Sequence, residues 1–143
     1  MSDSDEIFLG SRSPWWPTIE RYVLAPLEES AWSVSAEDLA VALRGRWPDV
    51  RVGFGSVGGS SMILEALIPG GSGRGELGIA LSGTGQAVTL DPADLEGAAE
   101  FAVWFAADVA PGDSGLHLIE PGSMRSVELV TGITPREVRE RLV

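Results

Sequence analysis

The chain has 143 residues, 44% of them hydrophobic, with 21 acidic residues against 10 basic ones and a net charge of −11. That length suits one domain with a core of its own, and the absence of cysteine excludes disulfide frameworks, thiol nucleophiles and cysteine-ligated zinc. An acidic surface repels nucleic acid and anionic membranes, and its field favours encounter with a basic protein.

The opening Met-Ser-Asp-Ser-Asp-Glu is acidic where a secretory signal requires positive charge, and no run reaches the ~18 apolar residues that span a bilayer. The expected location is the cytoplasm. Every basic residue is Arg and none is Lys, a usage expected of a GC-rich bacterial genome. Residues 1–18 read as an N-terminal tail in which Pro14 and Pro17 bracket Trp15 and Trp16, a pair able to dock on the domain as a latch. Residues 19–143 read as one domain. Between 19 and 34, Ile19, Tyr22, Val23, Leu24, Leu27 and Trp32 recur without a clean period, compatible with a short strand or a helical turn.

From Val34 the pattern is regular. Ser35 is a good N-cap with Asp38 three residues on, and Ala36, Leu39, Ala40, Leu43 and Trp47 fall on one side of a helix that Pro48 stops. Four segments of strand character follow: Val50–Phe54, Met62–Ile68, Leu77–Leu81 and the pair Val88 and Leu90. Their short links, rich in Gly and Ser, require antiparallel hairpins, because a parallel pair needs a long crossover. The second helix is expected to begin at Asp91 as cap, with Pro92 in the first turn and Leu90 stapled to Leu95, and to end before Pro111–Gly112. Two more strands are expected around Leu116–Ile119 and Val127–Val130, with a turn at Pro121–Gly122. The last helix carries a capping box, Thr134 with Glu137, with Pro135 in its first position and pairs Arg136–Glu140 and Glu137–Arg141. The expected fold is α+β: an antiparallel meander of about four to six strands with helices mainly on one face, in the order α-β-β-β-β-α-β-β-α.

The chemical motifs fail on context. Gly53-Phe-Gly55-Ser-Val-Gly58 and Gly73-Arg-Gly75-Glu-Leu-Gly78 match the dinucleotide glycine pattern, but both lead into strands where that pattern must open a helix. A kinase-type glycine loop needs a Lys, and the chain has none. Gly112-Asp-Ser-Gly115 resembles the nucleophile loop of trypsin-like serine proteases over four residues only; the sole histidine, His117, follows the serine where that chemistry places its base well before it. No ligand spacing for a metal and no cofactor motif is present.

Two surfaces remain as candidates. On a helical wheel Trp104 lies opposite Leu95, with Glu100 and Asp108 four residues to either side and Glu96 flanking. This aromatic set among carboxylates suits an arginine of a basic partner. The expected role is therefore a small acidic, non-catalytic protein-binding module of the adaptor, chaperone or toxin-neutralising immunity type. The alternative is a small-molecule ligand-binding domain or minor enzyme in which a curved sheet cups a ligand and Glu65, His117 and Ser114 supply polar groups. Glu65 interrupts an otherwise apolar strand and is expected to face water. His117 alternates with Leu116 and Leu118 and is expected on the opposite face from them.

Overall fold

A computed structural model describes residues 20–28, 32–55, 62–70, 75–110 and 114–142. Trp15, Trp16 and the rest of the expected tail lie outside them. The described elements are β1 (Glu20–Pro26), α1 (Ala36–Arg46), β2 (Arg51–Phe54), β3 (Met62–Ile68), β4 (Leu77–Ser82), β5 (Val88–Ala93), α2 (Leu95–Asp108), β6 (Leu116–Glu120), β7 (Arg125–Glu128) and α3 (Pro135–Leu142). The fold is α+β, as the sequence predicts.

Period-two alternation decides which way each strand faces. Tyr22 and Leu24 on β1, Leu64 and Ala66 on β3, Ile79 and Leu81 on β4, Val88 and Leu90 on β5, and Leu118 on β6 are all buried. The registers place them in cross-strand rows: Leu64, Leu81, Val88, Leu24 and Leu118 stand side by side on one face. Each such leucine contributes about 1.5–3 kcal/mol through burial. β2 to β5 form the expected meander, and β6–β7 a hairpin.

The sheet has seven strands in the order β2-β3-β4-β5-β1-β6-β7, all neighbours antiparallel. The strand beyond the expected count is β1, which lies between β5 and β6 and joins the meander to the hairpin. α2 lies over β1, β5 and β6, and α3 packs against α2 and β7. α1 meets α2 through Trp47, which stacks on Phe101 with ring centroids 5.8 Å apart.

The caps of α1 and α3 follow the sequence. Ser35 Oγ accepts from the Asp38 amide at 3.0 Å. Thr134 Oγ1 accepts from the Glu137 amide at 3.2 Å while Glu137 Oε1 accepts from the Thr134 amide at 3.0 Å. Because Glu137 is committed to this box, only Arg136–Glu140 of the two expected pairs forms, at 3.2 Å.

The start of α2 is a correction. Asp91 does not cap it; Asp94 does, with Oδ1 accepting from the Gly97 amide at 2.7 Å. Asp91 and Pro92 belong to β5, at an irregularity where β1 pairs Glu20 with Ala93 and then Tyr22 with Leu90, so two residues of β5 oppose Arg21 alone. Proline has no N–H for the ladder and is tolerated at such a bulge. Leu90 accordingly sits in the sheet core, fully buried, and not in a staple to Leu95. The final strand is also displaced from the expected Val127–Val130 to Arg125–Glu128.

Candidate binding surface

The acidic-aromatic surface expected on α2 exists, but most of its groups already have partners within the chain. Trp104 is half-buried and meets Trp47 edge to face at 4.9 Å and Phe101 at 5.4 Å. Glu100 Oε2 accepts from the Arg46 guanidinium at 3.1 Å, and Arg46 also lies over the Trp47 ring, 4.7 Å from its centroid. Glu96 pairs with Arg139 at 3.6 Å. Asp108 is exposed. The constellation therefore works as a clasp between α2 and its neighbouring helices: the arginine imagined on a partner is supplied in part by Arg46. Phe101 is fully buried, and the buried side of α2 is turned toward Phe101 and Phe105 and away from Leu95, which is only half-buried.

Among the described residues the other face of the sheet carries no helix. Its central row is Gly53, Glu65, Ala80, Thr89, Val23 and Ile119, one from each strand from β2 to β6. Glu65 is exposed there, as expected for an acidic residue on the solvent side of β3. An open groove of about 550 Å³ crosses this face, lined among others by Arg21, Val23, Met62, Glu65, Leu67 and Asp91. One wall is made by the β5 bulge, which brings Asp91 and Pro92 over Gly78. A side chain at Gly78 would collide with the Asp91 carbonyl oxygen and approach Pro92 Cδ to 2.9 Å, so glycine is what allows the wall to close down on β4.

His117 is also on the outer face, half-buried, with Nδ1 2.9 Å from the Gly115 carbonyl oxygen and Glu128 opposite it on β7. It does not line the groove. Ser114 is buried just before β6 and does not line it either. The three polar groups of the ligand-binding expectation, Glu65, His117 and Ser114, are therefore not gathered in one pocket. Arg21 and Asp91 join Glu65 instead. Nothing in the sequence marks Arg21, and Asp91 carries a helix-cap signature that masks its place beside the groove.

Among the described residues no cluster of three or more His, Asp or Glu is placed to hold a metal ion, and no helix is long and apolar enough to cross a membrane. Comparison of the chain with protein-family models, with curated proteins and with solved structures finds no match in any of the three.

Proposed function

We propose that this protein is a small acidic, non-catalytic protein-binding module, of the adaptor, chaperone or toxin-neutralising immunity type, that engages a basic partner. One observation carries the reading: much of the negative charge is displayed and, among the described residues, has no internal cation paired with it. Glu37, Asp38, Asp49, Glu65, Asp91 and Asp108 are all exposed and none enters an ion pair among the described residues. With 21 carboxylates against 10 arginines, the chain cannot pair most of its acids with itself. Such a field raises the rate of encounter with a cationic surface and disfavours anionic ones.

The test is capture of partners by the full chain from a lysate of the source organism, at low salt and again at about 0.5 M salt, where the screening length falls to a few ångströms. A specific basic protein retained at low salt and lost at high salt supports the reading. Capture that salt does not weaken, or a partner with an acidic surface, contradicts it.

A further inference from the structure

We infer that the groove on the outer sheet face, which no helix covers among the described residues, is the docking site for an extended segment of that partner, one bearing an arginine or lysine beside an aliphatic residue. The inference rests on the binding-module reading and adds the place and the chemistry.

The floor of the groove is aliphatic, from Val23, Met62, Leu67 and Ala80, and its ionic groups are Glu65, Asp91 and Arg21. None of these three is engaged in an ion pair among the described residues. The cross-strand neighbours of Glu65 are Gly53 and Ala80, so the carboxylate has no bulky side chain directly beside it on either neighbouring strand. A carboxylate rising from an aliphatic surface suits a long cationic side chain, whose methylenes lie on the floor while its head reaches the acid. Covering the pair lowers the local dielectric and strengthens the attraction. Asp91, held up by the bulge, offers a second acidic contact, and Arg21 a donor for a main-chain carbonyl or a carboxylate of the same segment. The volume of about 550 Å³ is enough for a few side chains. A second copy of the chain is the wrong occupant, because each copy carries a charge of −11. Nucleic acid is excluded on the same ground.

The test is a titration of the full chain, followed by amide NMR shifts, with a blocked peptide Arg-Leu-Arg-Val-Arg at low salt and with Glu-Leu-Glu-Val-Glu as control. Saturable shifts confined to the basic peptide and centred on Arg21, Glu65, Ala80 and Thr89 are expected. The double variant Glu65→Gln/Asp91→Asn should bind about tenfold more weakly with its melting unchanged, since both groups are exposed. Shifts centred on Glu100 and Asp108, shifts common to both peptides, or no saturable shift would overturn the assignment. Shifts at the same residues on concentrating the protein alone would identify a second copy as occupant and overturn it too. The two readings fail separately. If the double variant captures the same basic protein from the lysate as well as the wild type does, the module stands and the groove falls. If the peptide binds the groove but no basic protein is captured, the groove's selectivity for basic segments stands, while the module reading and the partner assigned to the groove fall.

Discussion

Trp47 and Trp104 meet edge to face, their ring centroids 4.9 Å apart, and this contact ties the end of α1 to the outer flank of α2. Phe101 completes the cluster beneath them, stacked on Trp47 and 5.4 Å from Trp104. A tryptophan on the side of the helical wheel opposite Leu95 is thus part of the packing between helices. Trp104→Ala should cost about 2 kcal/mol, below the 3–5 kcal/mol of a fully buried aromatic because one side of the ring faces water. Urea unfolding followed by far-UV circular dichroism measures it, and a loss within ~0.5 kcal/mol, the range of ordinary surface substitutions, would show that the ring is not part of the core.

Arg46 links to the same cluster twice, through Glu100 and through the face of Trp47. Both partners of the ion pair are partly exposed, so the expected coupling in an Arg46→Ala, Glu100→Ala double-mutant cycle is about 0.5 kcal/mol and shrinks with added salt. Arg46→Ala also removes the cation–π contact with Trp47, so its own loss should exceed the coupling energy of the pair. A loss no larger than that coupling would set the stacking contribution aside.

The corrected cap of α2 separates two aspartates three residues apart. Asp94→Ala removes the acceptor for the Gly97 amide and should cost about 1 kcal/mol. Asp91→Ala should leave stability within about 0.5 kcal/mol, since its side chain is exposed at the bulge. Chemical denaturation of the two variants distinguishes them, and the reverse order would restore the cap to Asp91.

Gly78→Ala places a methyl group against the backbone of Asp91, which cannot swing aside as a side chain can. A loss of about 1–3 kcal/mol is expected, typical of overpacking, together with disturbance of the groove wall. An alanine variant as stable as the wild type would mean that the β5 bulge yields freely.

What the sequence reveals and what it conceals divides on the same residues. The meander, the hairpin and the caps at Ser35 and Thr134 are legible because alternation and capping chemistry are local. β1 is not, because Tyr-Val-Leu-Ala-Pro is apolar at every position: Tyr22 and Leu24 enter the core while Val23 and Ala25 remain half-buried on the other face, which erases the period of two. Its pairing with β5 and β6 is set by residues far along the chain. Asp91-Pro92 imitates a cap and first helical turn, and only the sheet register shows that the strand continues through it. Trp104 lies opposite Leu95 on the wheel yet packs on Trp47, because the buried side of α2 is set by where Trp47 and the β-sheet lie, not by the first leucine of the helix. The exposure of Glu65 is readable from β3 alone. Its company, Arg21 and Asp91, comes from β1 and β5 and needs the fold.

The most direct test of the central claim compares partner capture at low salt by three full-length proteins: the wild type, Glu65→Gln/Asp91→Asn, and Glu37→Gln/Asp38→Asn. Both doubles remove two exposed carboxylates, so each changes net charge equally, the first on the open sheet face and the second in the first turn of α1. The sheet-face variant is expected to lose the basic partner while the helix variant retains it. Equal retention by both variants, or loss confined to the α1 variant, would contradict the claim.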